Sequence, residues 1–463
     1  MSKTTPENSR RSFITNLSKG VIGASMFPAV VTAKDRKRNL ESLIRAGQKY
    51  SANDQLQIAL IGAGGMGTSD TNTAITVPGI KLMAVCDLYD GRLASAKTKW
   101  GNDISTTRDY RQILERKDID AVIIATPDHW HKDISIAAMN SGKSVYCEKP
   151  MVHDITEGPA VIAARDKNKV VMQVGSQGLS SLGNEKAKQL LKDGAIGKLN
   201  YAEGFWARMS PTGAWQYPIP ADASTQTVGW DTFVANTNKR SFDPTRFFRW
   251  RNYRDYGTGV SGDLFVHLFS SLHFVTGSIG PNKIMATGGL RYWKDGREVP
   301  DIMLGMFDYP ETKIHPAFNL SLRVNFVDGT GGTNYLRMVG DEGSMTVEWD
   351  KVTVYRNSQH IDASDPLAKS NTPATGGKEY VYERKSLLPP EKTEYTAEQG
   401  YKGAHFDHFY NWSNAIRNNG TVVEDPLFGY HAAAPALLCN DSYFNNKIMH
   451  WDPVNLKVIN NKS

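Results

Sequence analysis

The feature that most constrains the fold is a glycine spacing that directly follows a short apolar run. Residues 57–61 read Gln-Ile-Ala-Leu-Ile, and Gly62, Gly64 and Gly67 then complete the pattern Gly-x-Gly-x-x-Gly. The pattern predicts a buried parallel strand, a tight turn at Gly62, a backbone open to a pyrophosphate at Gly64, and close helix packing at Gly67. The N-terminus of the following helix would offer free N–H groups to phosphates.

A second strand-like run, residues 80–85, supports this interpretation because it ends close to an acidic residue. Asp87 lies 20 residues after Gly67, the spacing at which a carboxylate binds the adenosine ribose hydroxyls. No arginine immediately follows Asp87 to take a 2′-phosphate, so we expect NAD rather than NADP, with Arg92 as the residue that would reverse the preference. The alternative is a glycine-rich loop between unrelated elements.

Short apolar runs alternate with helical stretches in residues 54–180, which predicts a doubly wound parallel sheet, that is, a Rossmann domain. Strands are predicted at 56–61, 80–86, 121–125, 144–147 and 170–174, and helices near 65–76, 90–100, 108–116, 130–141 and 154–168. Ligands bind at the carboxyl ends of strands in such sheets. The fold class is therefore α/β.

Residues 181–463 differ in pattern and predict a second α/β domain with a mainly antiparallel open sheet. Its strands are predicted at 199–206, 282–293, 302–309, 318–327, 333–339 and 344–356, and its helices at 184–192, 261–276, 404–418 and 424–446. Residues 362–398 are polar and rich in Pro and Gly, which predicts a long surface loop.

The N-terminus is similar to a twin-arginine export signal. Arg10 and Arg11 precede Ser-Phe and a modestly apolar run to Val31, with small residues suited to cleavage after Ala33. We therefore expect a signal over residues 1–33, a linker over 34–53, and a periplasmic protein that is folded before export. Polar residues in the run argue against a stable membrane span. The alternative is a chance arginine pair on an ordinary amphipathic helix.

Charge and cysteine content exclude several classes of protein. The net charge of +6 is concentrated in residues 1–49, and the remainder has 44 basic and 45 acidic residues. A near-neutral body gives no indication of nucleic-acid binding. The three cysteines, Cys86, Cys147 and Cys439, have no metal-ligand spacing and are too few for a disulfide framework.

From about residue 56 to 455 the chain resembles the Gfo/Idh/MocA oxidoreductase family. The resemblance rests on four segments: the glycine loop with Asp87, the sequence Ala-Thr-Pro-Asp-His-Trp-His at 125–131, Tyr-Cys-Glu-Lys-Pro at 146–150, and Gly-Asp-Leu-Phe-Val-His at 262–267. It implies an NAD(P) domain followed by a domain whose open sheet forms the substrate wall and often an oligomer interface. A homodimer or homotetramer is expected by this analogy.

The resemblance also implies three catalytic residues, Lys149, His267 and Asp263. Lys149 follows a sheet strand, where an ammonium would polarise a developing carbonyl or alkoxide. Asp263 and His267 are four residues apart on a predicted helix, so the carboxylate would hold the tautomer of an imidazole that accepts a proton. The alternative is an exposed helix pair. Ser270 stands where many family members have a further acid, which weakens any inference about the hydroxyl that is bound.

Further residues are implied to bind the cofactor, with the 127–131 segment and Glu148 along the nicotinamide ribose and Gln177 near the nicotinamide. The full predicted set is Gly62, Ala63, Gly64, Gly65, Met66, Gly67, Asp87, Thr126, Pro127, Trp130, His131, Glu148, Lys149 and Gln177. His129 and His131 lack the further ligand that a zinc site needs, so no metal is expected.

A group of aromatic and arginine residues is the candidate substrate wall, because these types stack on sugar rings and hydrogen-bond to them. Its members are Trp206, Arg208, Trp215, Arg249, Trp250, Arg251 and Tyr253, of which Trp206, Arg208, Arg249 and Tyr253 are the predicted substrate residues. The alternative is core aromatics with surface arginines. His405, His408 and His431 are expected to be packing or capping residues.

Two chemistries remain open. The first is hydride transfer between NAD and a secondary hydroxyl of a sugar or glycoside. The second is a glycosidase or lyase that oxidises a ring hydroxyl, cleaves the glycoside by elimination and returns the hydride. An exported enzyme meets little free dinucleotide, so we expect a tightly bound cofactor that is recycled in place. A non-catalytic sugar-binding protein is a third class, which the catalytic residues disfavour.

Overall fold

The computed structural model describes residues 36–40, 54–210, 212–329, 332–357 and 390–459. The predicted export signal over residues 1–33 and most of the predicted linker lie outside these ranges. The described chain forms a six-stranded parallel sheet and an eleven-stranded mixed sheet, both flanked by helices. The predicted fold class is thereby confirmed.

The first sheet is the Rossmann sheet. Its strands are β2 (Leu56–Ile61), β3 (Ile80–Cys86), β4 (Ser105–Thr107), β5 (Ala121–Ile124), β6 (Ser144–Glu148) and β7 (Met172–Gly175), in the order β4-β3-β2-β5-β6-β7 with every pair parallel. The strands β2, β5 and β6 are almost wholly buried, as the continuous apolar runs predict for a sheet covered on both faces. Their carboxyl ends therefore meet at one edge.

Helices connect these strands. They are α1 (Gly65–Ala74), α2 (Asp90–Trp100), α3 (Tyr110–Glu115), α4 (His131–Asn140) and α5 (Gly158–Asn168). The boundaries of each helix lie within a few residues of the predicted ones. The strands on either side are apolar runs with clear limits, and these limits define where the helices can lie. The short strand β4 had no prediction, since three partly exposed residues carry no periodicity.

The second sheet is mostly antiparallel. Its strands are β1 (Arg36–Leu40), β8 (Leu199–Ala207), β9 (Lys283–Gly289), β10 (Ile302–Tyr309), β11 (Phe318–Asn325), β12 (Asn334–Gly340), β13 (Gly343–Val347), β14 (Lys351–Arg356), β15 (Glu391–Ala397), β16 (Met449–Asp452) and β17 (Lys457–Ile459). Its order is β1-β15-β14-β13-β12-β8-β11-β10-β9-β16-β17, in which β1–β15 and β8–β11 are parallel.

Three predictions for this sheet need correction. Part of the predicted linker is strand β1, which pairs with β15, and β15 itself lies inside the predicted long loop. The single strand predicted over 344–356 is the hairpin β13–β14. Strands β1 and β15 are polar and are stabilised by backbone pairing between distant segments, so no local apolar run signals them. In the β13–β14 hairpin a tight turn interrupts what reads as one continuous strand pattern.

Six helices complete the second domain: α6 (Leu182–Lys192), α7 (Trp230–Phe233), α8 (Pro244–Phe248), α9 (Val266–Thr276), α10 (Ala404–Asn418) and α11 (Pro426–Asn445). Residues Ser261–Phe265, predicted as the start of α9, form a π-helical turn that runs directly into it. Helix α10 packs on the first sheet's side, where Trp412 Nε1 donates to Val145 O at 3.1 Å. Within the described ranges, no helix has the length and apolar character to cross a membrane.

Candidate functional site

A cavity of about 600 Å³ lies at the carboxyl edge of the Rossmann sheet and is closed by the second domain. This volume is within the range of pockets that enclose small organic ligands. The cavity runs from the glycine loop to the ends of β5 and β6. Predicted site residues that line it are Gly62, Gly64, Gly65, Met66, Asp87, Thr126, Pro127, Trp130, Glu148, Lys149, Gln177, Trp206, Arg208, Asp263 and His267.

The glycine loop has the geometry that the sequence predicts for a phosphate cradle. Gly62 adopts φ +98°, and a Cβ there would lie 2.6 Å from Ala125 C. A Cβ on Gly67 would lie 2.0 Å from Gly62 O, so helix α1 can pack this closely only without a side chain. At Gly64 the nearest protein atom to such a Cβ is 4.0 Å away, which leaves the backbone open to the cavity. These features fit a dinucleotide pyrophosphate.

Asp87 lies beside this loop at the end of β3 and is buried. Its Oδ2 accepts the Ala63 N–H at 2.8 Å, and its Oδ1 accepts the Tyr89 N–H at 2.9 Å. Ala63 therefore anchors the carboxylate and does not itself line the cavity. Arg92 approaches Asp87 Oδ1 at 3.4 Å, so its charge is directed at the carboxylate. This pairing favours a ribose with free hydroxyls at this end.

A segment of the second domain, residues 212–256, covers the nucleotide end of the cavity; we call it the cover. Its Gly229 N–H donates to Leu88 O at 2.7 Å, just after β3. Its Phe233 carbonyl accepts the Trp130 Nε1–H at 3.0 Å, just after β5. The cover is therefore hydrogen-bonded to two strand ends of the Rossmann sheet.

Aromatic contacts strengthen the attachment of the cover. The Arg92 guanidinium lies 5.8 Å and 5.5 Å from the ring centroids of Phe247 and Phe248, and Phe248 meets Tyr89 edge to face at 5.1 Å. The Tyr89 hydroxyl donates to Asp222 at 2.6 Å. This arrangement encloses the space beside Asp87 on the side away from the sheet.

Lys149 and Asp263 form a buried ion pair across the domain boundary. Lys149 Nζ lies 2.8 Å from both Asp263 Oδ1 and Asp263 O. Arg251 Nε approaches the same Oδ1 at 3.3 Å. Burial opposes ionisation of Asp263, but the positive charges of Lys149, Arg251 and Arg208 outweigh it and hold its pKa well below the usual range. The carboxylate is therefore charged and fixes the ammonium at the cavity wall.

His267 faces the same end of the cavity as a neutral imidazole. Burial, and then the charge of Lys149, lower its pKa well below 6.5, with Asp263 only partly compensating. The ring stacks on Trp206 with centroids 5.3 Å apart and an interplanar angle of 28°. A neutral imidazole beside an ammonium can accept a proton.

The expectation that the Asp263 carboxylate holds the tautomer of the His267 imidazole is not supported by the contacts of either side chain. His267 Nδ1 is buried without a hydrogen-bond partner among the described residues, and Asp263 Oδ1 instead accepts from Lys149 and Arg251. The physical reason is that the two cations Lys149 and Arg251 attract the Asp263 carboxylate more strongly than a neutral imidazole does. Asp263 therefore orients the cations, while Trp206 packing orients His267.

A group of buried polar residues lies behind Lys149: Glu148 and Gln177 were predicted from the sequence, whereas Asp70 was not. Gln177 Nε2 donates to Glu148 Oε1 and lies 3.4 Å from Asp70 Oδ1, while His405 Nε2 lies 2.9 Å from the same Asp70 oxygen. Burial raises the pKa of Asp70, and burial together with Asp70 raises that of Glu148. Both carboxyl groups therefore bind a proton more readily than exposed carboxyl groups do. The available signal was an acidic residue, Asp70, one turn beyond the glycine loop.

Besides Ala63, four predicted residues do not line the cavity: Gly67, which packs helix α1 against Gly62, and the three residues His131, Arg249 and Tyr253. His131 is buried, with Nδ1 2.7 Å from Pro150 O and Nε2 2.9 Å from Thr126 O, so it ties together the turns that follow β5 and β6. Arg249 donates from Nε to Tyr217 O at 2.9 Å, and Tyr253 lies under the Arg246 guanidinium at 4.2 Å. The side chains of Arg249 and Tyr253 make their contacts inside the cover and do not line the cavity.

The substrate wall is formed by the other aromatic and arginine residues of the predicted group. Trp206, Trp215 and Trp250 line the cavity together with Arg208 and Arg251. The Arg251 guanidinium lies 4.2 Å from the Trp250 ring centroid, which fixes it beside Asp263. Faces of indole rings with guanidinium groups between them suit a sugar ring.

The remaining histidines have structural partners. His129 approaches the carbonyls of Phe233 and Tyr256, and His408 bridges Val174 O and Ser180. His431 lies 3.0 Å from Pro453 O, whereas His405 does line the cavity. In the part of the chain that the structure describes, no three His, Cys, Asp or Glu side chains are grouped as metal ligands.

Comparison with known proteins agrees with this geometry. Residues 56–176 match the Gfo/Idh/MocA family model, which is described as an oxidoreductase family with an NAD-binding Rossmann fold. The N-terminal domain is therefore similar to the NAD-binding Rossmann domain of that family. Two curated relatives are inositol 2-dehydrogenase of Salmonella typhimurium, 32% identical over 31% of this chain, and a glycosyl hydrolase family 109 protein of Shewanella baltica, 28% identical over 42%. The chain spans 43% and 42% of their respective lengths.

Solved structures extend the likeness to both domains. A structure of levoglucosan dehydrogenase in complex with NADH superposes with a TM-score of 0.61, covering 86% of this chain and 99% of that one at 19% identity. At this identity the match establishes the fold. The described chain therefore has the two-domain architecture of that dehydrogenase.

Proposed function

We propose that this protein is an NAD-dependent oxidoreductase that transfers hydride to or from a secondary hydroxyl of a sugar or glycoside. The observation that carries the proposal is the shared cavity: the glycine loop with Asp87 lines one end, and Lys149, Asp263 and His267 line the other. The related inositol 2-dehydrogenase and levoglucosan dehydrogenase bear names of the same reaction class.

The residues have the protonation states that oxidation of an alcohol requires. When bound, NAD supplies the hydride acceptor. The substrate carbon loses a hydride and the substrate oxygen loses a proton, which the neutral His267 is placed to accept. The Lys149 ammonium, fixed by Asp263 at 2.8 Å, stabilises the negative charge that develops on that oxygen. In the reverse direction the same two groups protonate and polarise a ketone.

Residues of the glycine loop and its neighbours would hold the cofactor. Gly64 and Gly65 leave the backbone open to a pyrophosphate, and Asp87 lies where the adenosine ribose hydroxyls bind. Thr126 Oγ1 is buried without a hydrogen-bond partner among the described residues, so it is free to bond a ligand. We assign NAD over NADP because Arg92 is paired with Asp87.

We further propose that the cofactor is held tightly and recycled in place. Support comes from the cover, whose hydrogen bonds and aromatic contacts enclose the nucleotide end of the cavity. Such retention suits an exported enzyme, since the twin-arginine pattern at residues 10–11 is typical of proteins that fold before leaving the cytoplasm. We also propose that the protein is located in the periplasm and forms a homodimer or a homotetramer.

The second candidate function is cleavage of a glycoside by oxidation, elimination and reduction. The family 109 glycosyl hydrolase among the relatives favours it, as do the raised pKa values of the buried carboxyl groups Asp70 and Glu148 behind Lys149. Elimination next to a ketone needs such acid and base groups.

One experiment tests the proposal and separates the two chemistries. Purified protein is dialysed, denatured and assayed for released nucleotide, and the intact protein is incubated with a panel of sugars and glycosides. The first function predicts retained NAD and a keto sugar, whereas the second predicts a freed aglycone and no net reduction. An empty preparation that exchanges added nucleotide freely contradicts tight retention, and no product of either kind contradicts both functions.

A further inference from the structure

The reacting end of the cavity carries more positive charge than hydride transfer requires. Lys149, Arg208 and Arg251 line it. Among the described residues, two carboxylates act on these cations: Asp263, and Asp128, whose charge acts on Arg251 and whose Oδ2 accepts from the Thr258 N–H and hydroxyl. Lys149 and Arg251 both approach the same oxygen of Asp263, at 2.8 and 3.3 Å. Glu148 does not restore the balance, because burial and Asp70 favour its neutral form.

Arg208 is the cation that the catalytic arrangement leaves unexplained. It follows strand β8, and its N–H donates to Asn325 O at 3.0 Å, so the backbone is held in line with the sheet. Trp206, two residues earlier, stacks on His267; residues two apart on extended chain share a face, which directs Arg208 to the cavity. Among the described residues, no carboxylate lies within ion-pair distance of its guanidinium, which is exposed.

Arg251 presents additional donors at the same place. Its Nε is directed at Asp263 Oδ1, and its guanidinium rests on Trp250 at 4.2 Å. The outer edge of a guanidinium group is the edge that pairs with planar anions. In Arg251 this edge has no hydrogen-bond partner in the described part of the chain, because only Nε contacts Asp263.

The phosphates of a nucleotide do not account for this charge. They belong at the glycine loop, which follows β2, whereas Lys149 follows β6, two strands away across β5. Two strand spacings correspond to about 10 Å. The positive charge therefore faces the substrate rather than the pyrophosphate.

We propose that the substrate is an anionic sugar whose carboxylate or phosphate group pairs with Arg208 and the outer edge of Arg251, while its ring lies against the tryptophans of the wall. This inference rests on the proposed function, since it names the substrate class of the same site. The pair of guanidinium groups acts as the specificity determinant, and Lys149 with His267 acts on a hydroxyl of the same ring.

The experiment compares a hexose, its uronic acid and its 6-phosphate, in both the gluco and galacto series, as substrates that reduce the bound nicotinamide. Wild type is expected to show a kcat/KM about 10- to 100-fold higher for one anionic form than for the neutral hexose, the range for hydrogen bonds to charged groups. The preferred form identifies the anion as carboxylate or phosphate. High salt is expected to reduce the preference without changing kcat/KM for the neutral hexose.

Arg208→Gln is expected to abolish this preference while retaining nucleotide. Arg323→Gln is the matched control, because Arg323 lies on the neighbouring strand β11 with its guanidinium over Phe205, on the sheet face opposite Trp206. Arg208→Lys, which keeps the charge and loses the fork, is expected to retain part of the preference. If the Arg208→Gln variant does not fold, the Arg208→Lys variant provides the test of the preference.

The outcomes separate the substrate class from the proposed function. Equal kcat/KM for neutral and anionic sugars, or a preference that survives Arg208→Gln, overturns the anionic substrate and leaves the oxidoreductase intact. If no sugar reduces the nucleotide, calorimetry with the same panel of sugars measures whether the proposed anion site binds them. Binding of an anionic sugar that depends on Arg208 supports the anion site and counts against hydride transfer, whereas equal or absent binding overturns the anion site as well.

Discussion

Alanine at Gly64 should weaken nucleotide binding without weakening the protein, because the space beside Gly64 belongs to the ligand. A Cβ built there lies 4.0 Å from the nearest protein atom, the Cζ of Arg92, so the unliganded protein can accept it without rearrangement. Against a bound pyrophosphate the same methyl group is an overpacking substitution, which costs about 1–3 kcal/mol. The dissociation constant of NAD should therefore rise about 5- to 150-fold.

Gly67→Ala should have a different effect, because that Cβ would lie 2.0 Å from Gly62 O and 3.0 Å from Ala125 Cβ. Helix α1 would have to move by about 1 Å or more, so the unliganded protein should lose stability as well as affinity. Gly420→Ala, with its nearest contact at 3.7 Å, is the control for a harmless glycine replacement.

The assay measures the melting temperature of nucleotide-stripped protein and the calorimetric affinity for NAD in all three variants. The expected result is an unchanged melting temperature for Gly64→Ala and a lowered one for Gly67→Ala, with weaker binding in both. Wild-type affinity in Gly64→Ala would refute the assignment of this loop to a pyrophosphate. An equal loss of stability in Gly64→Ala would show that its backbone does not face open space.

Three further predictions follow from the site. Lys149→Met should lower the rate of nicotinamide reduction about 10²- to 10⁴-fold while nucleotide stays bound, and a smaller loss in single-turnover measurements would remove Lys149 from the chemistry. Burial raises the pKa of Glu424 to about 8 from 4.5, so its folded-state proton stabilises the protein at low pH. That stabilisation should be lost by up to about 1.4 kcal/mol per pH unit as the pH rises between those values; in thermal melts Glu424→Gln should flatten this dependence, and an unchanged profile would contradict it. Tyr89→Phe should release nucleotide about 2- to 12-fold faster through loss of the 2.6 Å bond to Asp222, and an unchanged rate would mean that the cover does not retain the cofactor.

The sequence predicted the Rossmann half well because its signals are local. Apart from the short β4, the parallel strands are short, mostly apolar runs, and the glycine spacing and Asp87 are fixed relative to two of those runs. The carboxyl ends of neighbouring parallel strands must meet, so Thr126 and Lys149 could be assigned to one edge without knowledge of the second domain.

The features that the sequence did not predict depend on distant contacts or small angular changes. Strand β1 exists through its pairing of Arg36 with Thr393, more than 350 residues away, and its own residues carry no strand pattern. The π-helical turn at 261–265 is an irregularity that no residue type signals, and the pairing of Asp263 with Lys149 and Arg251 depends on residues distant in the sequence. Arg249 and Tyr253 are residue types that often bind sugars, but their contacts within the cover hold them away from the cavity.

The central claim is that a nicotinamide and a sugar hydroxyl meet between Lys149 and His267. Single-turnover absorbance at the reduced-nicotinamide band, recorded after protein with bound NAD is mixed with sugar substrate, tests it most directly. Because the pKa of His267 lies well below 6.5, wild-type protein should reduce its nicotinamide as readily at pH 6.5 as at pH 7.5, and Lys149→Met should not do so at either pH. Full reduction in Lys149→Met, or a wild-type rate that falls steeply between pH 7.5 and 6.5, would contradict the account.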